Sequence, residues 1–201
     1  MIAPHPDDET LGVGGTIALH IKNNHEILVV FVTTGEMCYH VKGFYDVPLE
    51  NVKKIRINEA YKALSVLGVK RDQLIFLDLG DTKVSEKIKT LSNLLAEIIK
   101  KYKPDVIYCP HETDKHKDHR ASCLALKKAI EACKGLNKEI LVRYYVIWGS
   151  ILGEKKCIRI DKGLKSEALK HYRSQIELLG RDFFERFIKD YECFLEETIK
   201  L

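Results

Sequence analysis

The 201-residue sequence predicts an α/β fold, with a single Rossmann-like open parallel sheet and helices on both faces. Two observations support this prediction. Short apolar runs rich in β-branched residues alternate along the chain with stretches whose apolar residues recur every three or four positions. Runs of the first kind are typical of strands buried on both faces of a parallel sheet. The length fits one hydrophobic core, so we expect one domain over residues 1–201.

Five segments have the composition of strands. The first comprises only residues 1–3, whereas a central strand of such a sheet needs about five residues. We therefore expect the natural chain to begin upstream of Met1. The other four predicted strands are residues 26–34, 73–79, 103–110 and 139–148.

The segments between these strands have helical periodicity. A first apolar face is formed by positions 57, 60, 64 and 67 and is followed by Gly68 as a C-cap; a second is formed by positions 84, 88, 91, 95 and 98. Residues 119–133 predict a further helix. After the last strand, we expect two closing helices over 160–180 and 182–200, with Gly180 between them.

Composition excludes several classes of protein. The net charge of +4 arises from 33 basic and 29 acidic residues spread along the chain, so we expect no nucleic-acid surface. No apolar run is long enough to span a bilayer and the start lacks a secretory pattern, so we expect a soluble, cytoplasmic protein without membrane insertion. The six cysteines are scattered without a C-x-x-C pair, which predicts reduced thiols and no disulfide framework.

Two polar segments follow predicted strands. "PHPDDE" occupies residues 4–9, where the first strand ends, and "HETDKHKDHRAS" occupies residues 111–122, after the strand at 103–110. Because open α/β sheets bind ligands at the carboxyl ends of their strands, both segments should lie at one rim. Two histidines and one aspartate can hold a catalytic zinc ion and leave a position for water. The adjacent Asp7 and Asp8 can divide two duties, one as ligand and the other as base.

The motif "PHPDDE" is followed, on the order of a hundred residues later, by "HKDH" (116–119). Together these motifs resemble those of the PIG-L/LmbE-like zinc-dependent N-deacetylases. The resemblance covers residues 1–201. It implies a metal-dependent hydrolase that removes the acetyl group from an N-acetylglucosamine-type substrate, an acetamido sugar. It also implies zinc as the cofactor, although a His/His/Asp site accepts other divalent metals such as Fe²⁺.

The resemblance further implies the roles of eight residues. Metal ligation falls to His5, Asp8 and His119. Asp7 is the implied general base, His116 the oxyanion stabiliser or acid, and Asp118 the partner that orients His116 through a hydrogen bond. Arg56 and Asp81 are the residues implied to lie near the sugar. The segment "YRSQ" (172–175) is similar to a C-terminal signature of the family with a structural role.

The sequence departs from the family at one position near the second motif. Some members carry a tyrosine two positions before the first histidine of H-x-D-H as an assisting acid, whereas this chain has Asp114. The acid role therefore depends more heavily on His116. The long aromatic segment 37–50 is our prediction for a wall or lid that selects substrate.

The sequence leaves several alternatives open. A Rossmann-type nucleotide- or phosphate-binding module, with the acids holding magnesium, is the second functional hypothesis. Against it, the glycines of "LGVGGT" (11–16) do not form G-x-G-x-x-G, and they follow acids that would repel a pyrophosphate. The group attached to the sugar and the formation of a homo-oligomer are not determined by the sequence.

Overall fold

The computed structural model describes all 201 residues and contains seven strands and eight α-helices. The strands are β1 (Ile2–Ala3), β2 (Val29–Phe31), β3 (Leu74–Phe76), β4 (Val106–Pro110), β5 (Glu139–Tyr145), β6 (Lys156–Arg159) and β7 (Tyr191–Lys200). The helices are α1 (Asp8–Lys22), α2 (Cys38–Val41), α3 (Leu49–Val66), α4 (Ile88–Tyr102), α5 (Lys117–Glu131), α6 (Lys162–Leu169), α7 (Arg173–Leu179) and α8 (Arg181–Glu185). Short 3₁₀ turns lie at Arg71–Gln73 and Val84–Lys87.

The predicted α/β architecture is confirmed. Strands β1, β2 and β3 pair in parallel in that order, and β4 pairs in parallel with β5. Strand β1 lies beside β4, and the Tyr145 hydroxyl at the end of β5 donates a hydrogen bond of 3.0 Å to the carbonyl of Ile2. The five predicted strands therefore all exist, and β1 comprises only two residues.

The prediction of a closing helix over 182–200 is wrong. Only Arg181–Glu185 is helical in this region, and Tyr191–Lys200 forms β7, which pairs antiparallel with β5 on one side and β6 on the other. The hydrogen-bonded ladders therefore form two sheets rather than one wholly parallel sheet: β1-β2-β3 is parallel, and β4-β5-β7-β6 is mixed. In β7, Glu192 and Phe194 are buried while Tyr191 is exposed, which is the two-residue alternation of a strand. The segment 160–180 is likewise not one helix but α6 and α7.

The prediction that all six cysteines are reduced is also wrong. Cys157 in β6 and Cys193 in β7 lie directly opposite each other and form a disulfide. They are 36 residues apart in sequence, so only the antiparallel pairing of the two strands brings them together. The other four cysteines are free. Disulfides are rare in cytosolic proteins, and the cytoplasmic location stays a prediction.

Helices cover both faces of the sheet, as predicted. One core lies against α4 and α5 and includes Leu91 and Leu126; the other lies against α1 and α3 and includes Leu11 and Leu64. All four leucines are at most 2% exposed, and burying each stabilises the fold by about 1.5–3 kcal/mol relative to exposure. None of the helices is both long and apolar enough to cross a membrane.

The topology positions two loops side by side. Residues 4–7 connect β1 to α1, and residues 111–116 connect β4 to α5. Because β1 and β4 are neighbours, both loops lie at the same carboxyl edge of the sheet. Both "PHPDDE" and "HKDH" are thereby brought to one site.

Candidate active site

His5, Asp8 and His119 converge, although more than a hundred residues separate the two histidines. The Oδ2 atom of Asp8 lies 3.1 Å from Nδ1 of His5 and 3.1 Å from Nε2 of His119. The centroids of the two imidazole rings are 5.4 Å apart. All three residues are buried. The structure thus brings together the three residues that the sequence assigns to a metal.

The chemistry of these donors fits a divalent metal ion. Both ring nitrogens of His119 lie 3.1 Å from a carboxylate oxygen, yet neither makes a contact with the geometry of a hydrogen bond. A buried nitrogen left in this way is costly, and metal ligation would satisfy it. A nitrogen of His116 also lies within 4.8 Å of one from His5 and one from His119. Two or three imidazoles with a carboxylate are donors that zinc accepts.

Asp114 supports His119 from the side opposite Asp8. Its Oδ2 atom lies 3.1 Å from Nδ1 of His119 and accepts hydrogen bonds from the backbone N–H groups of Ile147 (2.8 Å) and Trp148 (3.1 Å). Its Oδ1 atom accepts the backbone N–H of His116 at 2.9 Å. Sequence reasoning noted Asp114 only as a departure from the family. Its position in the loop just before "HKDH" is the sequence signal that could have identified Asp114 as a residue that holds the imidazole of His119 in place.

Asp118 is placed differently from the sequence expectation. Its carboxylate accepts the backbone N–H of Thr82 at 2.8 Å and lies 3.4 Å from Nε2 of His5. The contact with His116 is made by the backbone: the N–H of Asp118 donates to Nδ1 of His116 at 3.3 Å. His116 is in this way the N-cap of α5. Asp118 therefore orients His116 through its main chain and His5 through its side chain.

Asp81 contacts Nε2 of His5, the same nitrogen that Asp118 approaches. Its Oδ1 atom is 3.1 Å from Nε2 of His5, and its Oδ2 atom accepts the backbone N–H of Met37 at 2.9 Å. The backbone N–H of Asp81 donates to Glu36 at 2.9 Å. The aspartate expected near the sugar therefore also fixes the ring of His5.

Asp7 makes a buried ion pair with Arg56. The Nη2 atom of Arg56 lies 3.2 Å from Oδ2 of Asp7, and the guanidinium also donates to the carbonyls of Pro6 and Gly35. The backbone φ of Asp7 is 127°, outside the ordinary range for an L-residue. This turn directs the carboxylates of Asp7 and Asp8 to different partners.

Glu9 holds that turn in place. It is fully buried and accepts hydrogen bonds from the backbone N–H of Asp7 at 3.0 Å and from the hydroxyl of Tyr172. Glu59 of α3 likewise accepts two hydrogen bonds, from the backbone N–H and the hydroxyl of Ser174, at 2.8 and 2.6 Å. The segment "YRSQ" therefore ties the site to α1 and α3, in agreement with a structural role.

The two adjacent aspartates have opposite pKa shifts. Burial raises the pKa of Asp7 to about 8, although the charge of Arg56 acts in the other direction. Burial also disfavours ionised Asp8, but the neighbouring His119 and His5 lower its pKa well below the ordinary range. Asp8 is thus a permanent carboxylate, whereas Asp7 exchanges a proton near neutral pH. This difference suits a ligand beside a base.

The histidines also differ in their protonation. Burial opposes the charged form of His119, yet Asp8 and Asp114 raise its pKa to about 9. For His116, burial together with the charges of His5 and His119 outweighs Asp8 and Asp118 and lowers its pKa to about 4. His116 is therefore a neutral imidazole at physiological pH. Because its Nδ1 accepts the N–H of Asp118, its proton resides on Nε2.

A cavity of ≈ 350 Å³ opens onto these groups. Its polar lining includes Asp7, Asp81 and His116. Its apolar lining comprises Leu11, Ile147, Trp148, Leu178 and Phe183, among others. Val41 and Lys42, from the segment 37–50, line its edge. Substrate selection by that segment stays a prediction.

Two histidines and a carboxylate that meet at strand ends, beside a second carboxylate, are typical of α/β proteins with a hydrolytic metal site. The chain belongs to the PIG-L family, described as GlcNAc-PI de-N-acetylase, whose model matches residues 1–130. That range includes both motifs.

Individual relatives agree with this membership. The chain is 28% identical over 195 residues to the "Probable N-acetyl-alpha-D-glucosaminyl L-malate deacetylase 2" of Bacillus subtilis, covering 92% of this chain and 86% of the relative. It is 29% identical over 124 residues to the "Diacetylchitobiose deacetylase" of Thermococcus kodakarensis, covering 59% of this chain and 43% of that protein. The solved N,N'-diacetylchitobiose deacetylase from Pyrococcus horikoshii shares the fold, with a TM-score of 0.81 at 22% identity over 98% of this chain and 82% of that one.

Proposed function

We propose that residues 1–201 form one metal-dependent N-deacetylase domain that hydrolyses the acetamido group of an N-acetylglucosamine-type substrate. The products are acetate and the free amino sugar. One observation carries the proposal: Oδ2 of Asp8 is shared between His5 and His119, while the neighbouring Asp7 contacts Arg56. Membership of the PIG-L family and the names of the relatives support the same reaction.

Zinc is the metal we propose for His5, Asp8 and His119, because imidazole nitrogen and carboxylate oxygen are its usual donors in catalytic sites. Fe²⁺ is the alternative that the same donors accept. When bound, a divalent ion supplies a Lewis acid that lowers the pKa of a water molecule and polarises the amide carbonyl. Asp114 on His119, and Asp81 with Asp118 on His5, hold the two imidazoles in position.

Asp7 moves the proton in the proposed reaction. Its carboxylate accepts a proton from the attacking water as the C–O bond forms. The same carboxyl group then delivers the proton to the nitrogen as the amide C–N bond breaks. A pKa of about 8, raised by burial, suits a group that must both accept and donate near neutral pH.

His116 stabilises the oxyanion in the proposed reaction. Its Nδ1 is occupied by the N–H of Asp118, so Nε2–H is the donor that remains for the substrate. Burial, which disfavours the charged form of His116 and lowers its pKa, favours this neutral hydrogen-bond role over that of a cationic acid. Arg56 and Asp81 line the cavity, and we propose that they border the sugar while they hold Asp7 and His5.

The nucleotide- or phosphate-binding alternative has no support. Asp7, Asp8 and Asp81 line the cavity together with Lys42, Arg56 and Lys115, so the lining offers no excess of cations for a phosphate. The family and the relatives are described as deacetylases.

The proposal is tested by incubating the purified protein and zinc with N-acetylglucosamine glycosides and measuring primary amine and acetate in parallel. Equal amounts of both products are expected from the wild-type protein. Asp7→Asn should retain the metal and lose about 10²- to 10⁴-fold in kcat, the contribution typical of a general acid–base group. The control is Asp72→Asn, an exposed aspartate in a 3₁₀ turn outside the cavity. Release of acetate without amine, or full activity of Asp7→Asn, would contradict the proposal.

A further inference from the structure

A second cavity of ≈ 840 Å³ adjoins the catalytic one. Lys115, Ile147, Trp148 and Phe183 line both cavities. The two cavities therefore lie side by side, and a ligand whose sugar occupies the first has the second within reach of its attached group. The second cavity contains none of the histidines or aspartates of the metal site.

An aromatic shelf forms the boundary between the cavities. The rings of Trp148 and Phe183 lie with their centroids 4.7 Å apart, and Phe187 follows at 5.5 Å from Phe183. The guanidinium carbon of Arg186 is 4.6 Å from the centroid of Phe183. Aromatic side chains of this kind pack against the carbon skeleton of a ligand, and the cation of Arg186 lies over the rings of Phe183 and Phe187, where it lines the same cavity.

The charges of the second cavity are almost all positive. Lys115, Lys155, Arg186 and Lys189 line it, and none of these four makes a salt bridge. Other lysines of the same region are paired: Lys162, for example, lies 2.9 Å from Asp190.

The one acid on the wall of the second cavity does not offset these cations. Glu192 is buried and lies 2.7 Å from Nζ of Lys165. It also accepts the backbone N–H groups of Gly15 and Thr16 at 2.9 and 2.8 Å. Its charge is thus neutralised within the fold. Three aspartates and three cations line the catalytic cavity, whereas the second cavity has four unpaired cations and one acid that Lys165 neutralises. Positive charge is therefore concentrated in the second cavity.

We propose that the second cavity binds the group attached to the sugar, and that this group carries a negative charge, as a carboxylate or a phosphate. The inference rests on the proposed deacetylase function. It assigns Lys115 and Arg186 to specificity: Lys115 lines both cavities, and Arg186 lies over the ring of Phe183 in the second. Because the charged group is remote from the reacting amide, these cations should lower KM more than they raise kcat.

The test uses three N-acetylglucosaminides that differ only at the end of a propyl linker: a carboxylate, a phosphate, and the neutral carboxamide that is nearly isosteric with the carboxylate. We expect kcat/KM at low salt to be about tenfold higher for at least one charged glycoside than for the carboxamide, through KM. The advantage should decline as salt is added. The better of the two charged glycosides identifies the anion.

Variants locate the effect. Arg186→Gln should reduce the charged-to-neutral ratio of kcat/KM about two- to fivefold, as expected for one partly screened charge, and Lys115→Gln/Arg186→Gln should nearly abolish it. Lys162→Gln, at a paired lysine outside both cavities, should leave the ratio unchanged.

Equal kcat/KM for all three glycosides, with amine released, would overturn this inference and leave the deacetylase function intact. No amine from any glycoside would instead overturn the proposed function.

Discussion

The guanidinium of Arg56 lies 3.2 Å from the carboxylate of Asp7, and both side chains are buried. Burial disfavours the ionised form of Asp7, and Arg56 is the cation that partly offsets it. In the proposed reaction, the availability of Asp7 as a base near neutral pH therefore depends on an arginine 49 positions away in sequence. The sequence indicated Arg56 as a sugar contact only.

Removing this charge should shift the pH profile. Arg56→Gln leaves Asp7 buried without its cation, so the pKa of Asp7 rises and its base form appears only at higher pH. We expect the acidic limb of kcat/KM to move upward by about 1–3 pH units. The measurement is the pH–rate profile of amine release. Arg159→Gln, at an exposed arginine without an ion pair, should keep the wild-type limb; an unmoved limb in Arg56→Gln would exclude the electrostatic role.

The same contact can be disturbed without removing a charge. Gly35 has φ +65°, and a Cβ there would lie 1.9 Å from Nη1 of Arg56. Gly35→Ala should displace the guanidinium from Asp7 and move the acidic limb in the same direction as Arg56→Gln, by a smaller amount. Gly135→Ala is the matched control, because Gly135 also has positive φ but open space around its Cβ. A limb that moves equally in both variants would point to general backbone strain instead.

Asp114 should strengthen metal binding without touching the metal. Asp114→Asn removes the charge beside Nδ1 of His119 while preserving the size of the side chain. We expect zinc affinity to fall about 10- to 100-fold, the usual effect of losing such a partner. Competition with a chromophoric chelator measures it. Asp105→Asn, at an exposed surface position, should bind zinc as the wild type does. Unchanged affinity in Asp114→Asn would assign Asp114 a purely structural role.

Metal binding should release protons. Burial lowers the pKa of His5, but Asp81, Asp118 and Asp8 raise it well above its ordinary value, and His119 is raised to about 9 by Asp8 and Asp114 despite burial. The metal-free protein therefore holds both imidazoles protonated at pH 7, and a metal binds them only after deprotonation. Zinc affinity should rise with pH, with about two protons released at pH 7. Calorimetry in buffers of different ionisation enthalpy counts them; release of none would contradict the assigned charges.

The sequence was informative where chemistry is local. The β-branched runs identify the parallel strands, and "PHPDDE" and "HKDH" identify the residues that converge because each motif follows a strand end. Residues 191–200 gave no such signal, since Glu192, Glu196 and Glu197 interrupt the apolar pattern and only pairing with β5 and β6 makes the segment a strand. The disulfide between Cys157 and Cys193 was hidden for the same reason.

The supporting residues of the site were also beyond sequence reasoning. Asp114 and Glu9 are recognised by what they hold, the ring of His119 and the backbone of Asp7, and these contacts exist only in the folded chain. Asp118 carries one role through its carboxylate and another through its main chain, a division that no motif expresses.

In the proposed site, Asp8 holds the metal with His5 and His119, and Asp7 does not. Elemental analysis of zinc-loaded, gel-filtered protein distinguishes the two aspartates. We expect one tightly bound ion per chain in the wild type and in Asp7→Asn, and none in Asp8→Asn or His119→Ala, with circular dichroism showing that all four proteins remain folded. Retention of zinc by folded Asp8→Asn, together with its loss from folded Asp7→Asn, would contradict this assignment.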